Sequence, residues 1–330
     1  MPKATIIGNT TWGNTLGTLL SNNGVAVTLW ARSEDEAEQL NHQKNDYAST
    51  SDIAEATAAT DLVILAVPSQ KLRENITQIK RHLNNRMILM SAAKGLEMGS
   101  GKRMSQIIEE EVPSLKEQIC VLSGPNLAKE IAQGLPAASV IAAQDIIIAK
   151  KAKDLLQSPK FIIFTTDDIV GVELCGALKN IIALGAGMLD GLGLGDNAKA
   201  AFIAFSWNEA VSLGLTLGAK RDTFYWLAGM GDLIATCSST LSRNHYVGYQ
   251  LAKGYSLAEI SASMPQVAEG VATTVAVHQL TKKLSLDAPI AGIIYDTLFQ
   301  NKPPTELIAS FSKVIKDYDR RGFGNISPSS

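Results

Sequence analysis

The sequence predicts a two-domain protein in which an α/β domain with a parallel-rich sheet precedes an all-helical domain. The chain has 330 residues, more than one typical hydrophobic core accommodates. Up to about residue 166, short apolar runs alternate with helical patterns, and such continuously apolar runs are typical of parallel strands buried on both faces. Beyond that point, apolar residues recur at helical spacing. We therefore expect domains at 1–166 and 167–330.

The first elements predict one strand–helix–strand unit. Ala4–Gly8 is a β-type run, Asn14–Asn23 carries a helical pattern, and Val25–Trp30 is a second buried strand. Gly24 follows two asparagines and is a typical helix stop. A polar helix should begin near Ser33. Further strands are expected at Asp61–Val67, Met87–Ala92, Ile119–Ser123, Ala137–Ala143 and Phe161–Phe164.

The second half contains a series of apolar helical patterns that opens with Asp167–Met188. Residues 191–195 carry three glycines but follow no strand, so we expect a connection between helices there and not a phosphate-binding loop. The last residues, Phe323–Ser330, are expected to be a tail. The remaining helices are expected at Ala198–Leu213, Thr223–Leu227, Tyr246–Lys253, Ala272–Leu284 and Ile290–Phe299.

Composition argues against several classes of protein. The formal net charge is −2 with both signs interspersed, which indicates neither a nucleic-acid partner nor a membrane surface. The N-terminus lacks a signal-sequence pattern, and we expect no inserted membrane segment. Cys120, Cys175 and Cys237 lie far apart without metal-ligand spacing, so we expect buried, reduced thiols and no metal site. A G-x-S-x-G hydrolase motif is absent from the sequence.

A glycine-containing turn follows the first strand in the stretch IIGNTTWGNTLG. Gly8 and Gly13 occupy the first and third positions of the dinucleotide-binding pattern G-x-G-x-x-G, but Thr10 replaces the second glycine, which normally lets the backbone approach the pyrophosphate. We expect either that the Cβ of Thr10 pushes the pyrophosphate outward or that its hydroxyl replaces a backbone contact. Both would weaken cofactor binding without abolishing it.

The end of the second strand bears on which dinucleotide binds. A carboxylate there binds the ribose 2′-hydroxyl, whereas a cation accepts a 2′-phosphate. Arg32 and Ser33 follow the strand and favour the phosphorylated cofactor, although Glu34 and Asp35 lie nearby. A solvated arginine that opens the next helix is the alternative explanation.

Two more strand ends carry polar groups at positions where open α/β sheets bind ligands. Lys94 and Gly95 come directly after one apolar strand. Gly124 and Asn126 follow the next, and Asn126 could cap a helix whose first amides face a ligand. An ordinary corner between a strand and a helix explains either stretch as well.

The helical half contains two polar clusters. Lys179 and Asn180 interrupt an apolar helix, and a buried lysine must be paired or have a lowered pKa, as suits a proton carrier. The alternative is a lysine whose ammonium reaches the surface. Asp232 lies in a glycine-flanked turn beside a threonine. The tripeptide 242–244 joins a hydroxyl, a guanidinium and an amide, which together could hold a phosphate.

Seven motifs follow one another in a characteristic order: IIGNTTWGNTLG, AKGLE, SGPNLAKE, ALKN, GMGDLIATC, SRN and AEGVATT. In this order the chain resembles the bacterial NAD(P)-dependent glycerol-3-phosphate dehydrogenase family from Ile6 to about Gly324. The resemblance implies a Rossmann-type domain, a helical domain of the 6-phosphogluconate-dehydrogenase-like kind, a cytoplasmic location and a homodimer. It also implies reversible hydride transfer between NAD(P)H and dihydroxyacetone phosphate, which yields sn-glycerol 3-phosphate for phospholipid synthesis.

The resemblance assigns roles to individual residues. Lys179 would be the proton acceptor in the oxidative direction and Asp232 a substrate-site carboxylate. Hydride transfer turns the carbonyl oxygen into an alkoxide, so we expect Asn180 and Lys94 as further catalytic groups that hold the surroundings of this oxygen. NADP, or NAD, would contact Gly8, Thr11, Trp12, Gly13, Arg32, Lys94, Ala128, Arg243 and Glu269. The small phosphate substrate would contact Lys94, Gly124, Asn126, Lys179, Asp232, Ser242, Arg243 and Asn244. Asn126 stands where the family usually has a hydroxyl, and Ala268 stands where it usually has valine.

Two other functions fit parts of the pattern. One is a related two-domain dehydrogenase that acts on a hydroxy acid, with Arg243 binding a carboxylate. The other is a non-catalytic dinucleotide-binding sensor that has lost hydride chemistry at its altered glycine turn. Lys179, Asp232 and Arg243 argue against the sensor, because a sensor has no evident need for them.

Overall fold

The computed structural model describes residues 1–43, 46–264 and 266–321, without the side chains of 317–319 and 321. The expected tail, Phe323–Ser330, lies outside the described residues. The chain forms two compact units. The first comprises Met1–Lys94 and Arg103–Glu173, and the second comprises Gly95–Lys102 and Leu174–Ser330.

An eight-stranded sheet forms the centre of the first unit, in the order β3-β2-β1-β4-β5-β6-β7-β8. Neighbouring strands are parallel except β6 and β7, which run antiparallel, so the predicted parallel-rich sheet is confirmed. The sequence analysis missed β3, whose three residues are too few to form an apolar run. The strands are β1 (Lys3–Ile7), β2 (Ala26–Trp30), β3 (Ala48–Thr50), β4 (Leu62–Leu65), β5 (Ile88–Ser91), β6 (Ile119–Ser123), β7 (Ala137–Ala143) and β8 (Phe161–Thr166).

The central strands are buried on both faces. Successive residues of β1 point to opposite sides of the sheet, so that Ile6 and Ile7 belong to different hydrophobic clusters. The same alternation places Ile64 with Ile6 and Leu65 with Ile7. Two-sided burial explains why these strands are continuously apolar in the sequence.

In the described part of the chain, seven α-helices precede residue 169, and the segments from residue 169 onward are helical. The predicted helix at Thr223–Leu227 is shorter than expected, because it ends at Phe224 and a π-helical turn follows at Leu227–Gly231. The helices are α1 (Thr11–Asn22), α2 (Glu34–His42), α3 (Ile53–Thr57), α4 (Leu72–Ile79), α5 (Met104–Glu111), α6 (Ala128–Ala132), α7 (Ile146–Leu156), α8 (Ile169–Gly191), α9 (Gly195–Thr216), α10 (Arg221–Phe224), α11 (Asp232–Ser238), α12 (Arg243–Ala252), α13 (Leu257–Ser263), α14 (Glu269–Leu284), α15 (Pro289–Phe299) and α16 (Glu306–Arg321).

Helix α8 is long and apolar enough to cross a membrane. However, 89% of its most apolar window is buried inside the protein. Such burial is typical of the core helix of a soluble protein. After α8, residues 192–194 form the expected connection to α9.

Helices α8 and α12 approach each other closely through glycines. A Cβ atom on Gly248 would lie 1.9 Å from the carbonyl oxygen of Leu184, and one on Gly187 would lie 2.0 Å from that of His245. No side chain fits at such distances, so the two backbones are in direct contact. This contact fixes the start of α12 against the middle of α8.

We therefore expect Gly248→Ala to destabilise the protein by about 1–3 kcal/mol, because the added methyl group must separate the two helices. The matched control is Gly292→Ala in α15, where a Cβ meets nothing within 4 Å. Alanine at position 292 should stabilise the protein by about 0.5–1 kcal/mol, because alanine has a higher helix propensity than glycine. Thermal unfolding followed by circular dichroism compares the two. A Gly248→Ala midpoint equal to or above that of the control would contradict the described packing.

Candidate active site

The glycine turn lies where strand order in the sheet changes direction, between β1 and β4. Open α/β sheets bind ligands at this switch point. Gly8 has a φ of +121°, and a Cβ there would lie 2.7 Å from the carbonyl oxygen of Ala66, which follows β4. Glycine is therefore required at position 8, as the dinucleotide-binding pattern predicts.

The hydroxyl of Thr10 is engaged by the protein itself. It accepts a hydrogen bond from the backbone N–H of Gly13 at 3.0 Å and donates one to the carbonyl oxygen of Ala66 at 2.9 Å. Thr10 is thus the N-cap of α1 and ties the turn to the end of β4. The steric effect expected of its Cβ on a pyrophosphate stays a prediction.

Three predicted cofactor residues lie in or next to the first turns of α1. Thr11 and Trp12 are the first two residues of the helix, and helix N-termini bind phosphates through backbone N–H groups. The indole of Trp12 packs edge-on against Phe161, with ring centroids 6.4 Å apart. Ala128 is drawn to the same helix, since its carbonyl oxygen accepts a hydrogen bond from Thr15 at 3.4 Å.

The exposed Arg32 follows β2, and the next residues cap α2. The Ser33 hydroxyl accepts a hydrogen bond from the backbone N–H of Glu36. The Glu36 carboxylate in turn accepts from the backbone N–H of Arg32 at 2.9 Å and from the Asn9 side-chain amide at 2.8 Å. The sequence analysis did not single out Glu36, although the S-x-x-E capping pattern was a signal that could have found it.

Polar groups gather at the carboxyl ends of β5 and β6. The Lys94 ammonium donates to the carbonyl oxygen of Gly124 at 2.8 Å, and the Asn126 amide donates to Ser139 at 3.0 Å. Three buried oxygen atoms here have no hydrogen-bond partner among the described residues: Ser91 Oγ, Ser123 Oγ and Asn126 Oδ1. Buried polar atoms are normally satisfied, so this end of the sheet fits a polar ligand such as a dinucleotide.

A buried ion pair occupies the second unit. Lys179 on α8 is 6% exposed, and its ammonium lies 2.7 Å from Asp232 Oδ1 and also donates to Thr236 Oγ1. The alternative of a lysine that reaches the surface is therefore wrong. Asp232 is the first residue of α11, where the helix dipole favours a carboxylate.

Thr236 is a site residue that the sequence analysis did not identify. It lies four residues after Asp232 on α11, so both side chains share one helix face. Cys237 follows it and is buried, and burial raises the pKa of its thiol to about 12. Cys237 is therefore a neutral thiol and not a nucleophile.

A chain of buried amides lies next to Lys179. The Asn244 side-chain amide donates to Asn180 Oδ1 at 2.8 Å, and Asn244 Oδ1 accepts from the backbone N–H of Gly270 at 2.9 Å. These contacts join α8, α12 and the first turn of α14. The structure thus brings Asn180 and Asn244 together, and the ion pair lies one residue away along α8.

The predicted tripeptide 242–244 forms the N-terminus of α12. The hydroxyl of Ser242 caps the helix by accepting from the backbone N–H of His245. The Arg243 guanidinium donates to Gln266 at 3.0 Å. Burial lowers the pKa of Arg243, and the nearby Glu269 carboxylate opposes this shift, so the two predicted cofactor residues of this unit are neighbours.

His245 provides a second anchor between the same helices. Its Nε2 lies 2.7 Å from Asp190 at the end of α8, and the Lys199 ammonium lies 2.9 Å from the same carboxylate. The first turn of α12 is therefore held by side chains as well as by the glycine contact.

Sequence comparison assigns both halves of the chain to one family. Residues 3–149 match the N-terminal domain of NAD-dependent glycerol-3-phosphate dehydrogenase, and residues 168–309 match its C-terminal domain. The chain belongs to this family. The predicted resemblance and the predicted Rossmann-type and helical domains are confirmed.

Relatives with this activity in their names match nearly the whole chain. An NAD(P)+-dependent glycerol-3-phosphate dehydrogenase from Dehalococcoides mccartyi is 50% identical, over 93% of this chain and 89% of its own length. A glycerol-3-phosphate dehydrogenase of the same name from Syntrophotalea carbinolica is 43% identical, over 92% of this chain and 95% of its own length. The crystal structure of glycerol-3-phosphate dehydrogenase from Coxiella burnetii superimposes with a TM-score of 0.89, at 29% identity over 94% of this chain and 99% of that chain.

We expect Thr10→Val to destabilise the protein by about 1 kcal/mol, because valine keeps the shape of the side chain but cannot cap α1. It should also weaken NADH binding, since the helix N-terminus loses its tie to Ala66. Thr10→Ser is the matched control and should keep both properties. Unfolding midpoints and the quenching of tryptophan fluorescence by NADH measure the two effects. Equal behaviour of the valine and serine variants would contradict the capping role.

Proposed function

We propose that this chain catalyses the reversible NAD(P)-dependent reduction of dihydroxyacetone phosphate to sn-glycerol 3-phosphate, with Lys179 as its proton donor and acceptor. The observation that carries the proposal is the buried pair of Lys179 and Asp232 beside the amides of Asn180 and Asn244, in a chain of this family. The chain is an oxidoreductase that uses NAD or NADP. The proposed domains are 1–166 for the dinucleotide and 167–330 for substrate and catalysis.

Proton transfer is the step that Lys179 would perform. When bound, NAD(P)H would supply a hydride to the carbonyl carbon of the substrate. The carbonyl oxygen then gains negative charge and needs one proton to become the alcohol. The Lys179 ammonium donates that proton, and in the reverse direction the Lys179 amine accepts it. Asp232 and Thr236 hold the ammonium in place through the two contacts described above.

The Asn180 side chain would orient the reacting oxygen. Its Oδ1 atom is already held by Asn244, so the orientation of the Asn180 amide is fixed before substrate binds. A fixed amide dipole requires little reorganisation during the reaction. This is the reason for proposing Asn180 as a catalytic group.

The substrate phosphate would be bound at the N-terminus of α12. Arg243 offers a guanidinium that can bind phosphate through two hydrogen bonds, and the helix dipole adds positive potential. Ser242 and Asn244 flank it. Binding energy from this non-reacting phosphate would position the ketone for hydride transfer. Lys94, Gly124 and Asn126 stay predicted substrate contacts of the first unit.

The dinucleotide would bind at the carboxyl ends of β1 to β6. The glycine turn and the N-terminus of α1 suit the pyrophosphate, and the unsatisfied oxygens of Ser91 and Ser123 suit polar groups of the cofactor. A homodimer, a cytoplasmic location and a role in phospholipid synthesis complete the proposal.

The direct test is oxidation of NADH and NADPH by the purified protein with dihydroxyacetone phosphate. We expect turnover with at least one cofactor, and a kcat/KM for unphosphorylated dihydroxyacetone that is lower by about 100-fold, because the phosphate contacts are lost. Faster turnover of a phosphate-free hydroxy acid would instead indicate the related dehydrogenase. Cofactor binding without any turnover would indicate the sensor.

Arg243→Met serves as the internal control for that assay, since methionine keeps the apolar stem without the charge. The KM for dihydroxyacetone phosphate should rise by about 10- to 100-fold. At saturating cofactor, turnover of unphosphorylated dihydroxyacetone should change little. An equal loss for both substrates would remove Arg243 from phosphate recognition.

A further inference from the structure

The Glu36 carboxylate lies at the carboxyl ends of β1 and β2. These two strands are neighbours, and Ile7 pairs with Trp30 at their ends. One carboxylate oxygen of Glu36 accepts a hydrogen bond from Asn9 after β1, and the other accepts from the backbone N–H of Arg32 after β2. Glu36 therefore bridges the glycine turn and the end of the second strand.

This location is where dinucleotide-binding folds recognise the adenosine ribose. Besides the side chains of Arg32 and Ser33, a 2′-phosphate at the end of β2 could use the Asn9 amide and the Arg32 backbone N–H as donors. Glu36 already accepts from both. A phosphate would therefore meet a carboxylate that competes for these donors and also repels it electrostatically. A 2′-hydroxyl carries no charge and can donate to the same carboxylate.

The Arg32 side chain would favour a 2′-phosphate, but its charge also acts on one acidic neighbour, Glu74. The pKa of Glu74 on α4 is lowered, first by its hydrogen bond with Lys71 and in smaller part by the charge of Arg32. The Lys71 ammonium lies 2.9 Å from Glu74 and partly offsets its charge. The described side-chain contacts of Glu36, in contrast, are with two neutral hydrogen-bond donors, the Asn9 amide and the Arg32 backbone N–H.

We propose that Glu36 is a specificity residue that lowers the preference of this chain for phosphorylated dinucleotides and opposes Arg32. Arg32 by itself would favour NADP, whereas the two side chains together bring the affinities for NAD and NADP closer to each other. The proposal rests on the dinucleotide site of the proposed function but not on its substrate.

Glu36→Gln tests the proposal, because glutamine keeps the size of the side chain and one acceptor oxygen but removes the charge. Dissociation constants of NADPH and NADH, and of adenosine 2′,5′-bisphosphate and 5′-AMP as fragment probes, can be measured by isothermal titration calorimetry without turnover. We expect the ratio of the NADPH to the NADH constant to fall by about 10-fold, mainly through tighter NADPH binding. The ratio of the dissociation constant of adenosine 2′,5′-bisphosphate to that of 5′-AMP should fall as well.

Three further variants make the result specific. Glu36→Asp keeps the charge, so its ratio of the NADPH to the NADH dissociation constant should lie closer to that of the unsubstituted chain than the ratio of Glu36→Gln does. Glu38→Gln removes an exposed carboxylate from the same helix and should change the ratio by less than about 2-fold, as expected for a screened surface charge. Arg32→Gln should shift the ratio the other way by weakening NADPH binding.

A ratio unchanged in Glu36→Gln, or equal changes for both dinucleotides, would overturn the proposal and leave Glu36 with a structural role only. The outcome also separates this proposal from the proposed function. Binding of both dinucleotides with an unchanged ratio contradicts only the role of Glu36. Failure of the unsubstituted chain to bind either dinucleotide contradicts both.

Discussion

The proposed chemistry depends on the buried ion pair between Lys179 and Asp232 in the second unit. Removing two charges from water carries a desolvation penalty that their mutual attraction offsets only with good geometry and further hydrogen bonds. Thr236 supplies one such bond, and the start of α11 supplies a favourable dipole for the carboxylate. Apolar side chains of similar volume would stabilise the protein at least as well. The pair is therefore better explained by proton transfer than by stability.

The surrounding helices fix the positions of this ion pair and of the neighbouring amides relative to each other. Backbone contact at Gly248 and Gly187 brings α12 against α8, and Asn244 then reaches Asn180. Asp190 and His245 tie the same helices together at a second level. Residues that are distant in sequence thus meet in one rigid cluster, as a preorganised catalytic site requires.

The sequence predicted most of this architecture because two-sided burial leaves continuous apolar strands, and because Lys179 stands out in an apolar helix. It did not predict α11, since the glycines of the motif GMGDLIATC indicate a turn, which in the structure is the π-helical segment before Asp232. The contacts of Thr236 with Lys179 and of Glu36 with Asn9 were missed for a different reason. Both depend on how separate elements approach each other, and neither spacing nor composition encodes that distance.

The most direct test of this account compares Lys179→Met, Asp232→Leu and the double variant in both unfolding and turnover. Each single change removes the partner of opposite charge from a buried ionised group, and we expect the free energy of unfolding to fall by about 3–5 kcal/mol. The double variant should recover most of that stability, yet its turnover of dihydroxyacetone phosphate should remain about 1,000-fold below that of the unsubstituted chain. Recovery of turnover together with stability would contradict a catalytic role for Lys179.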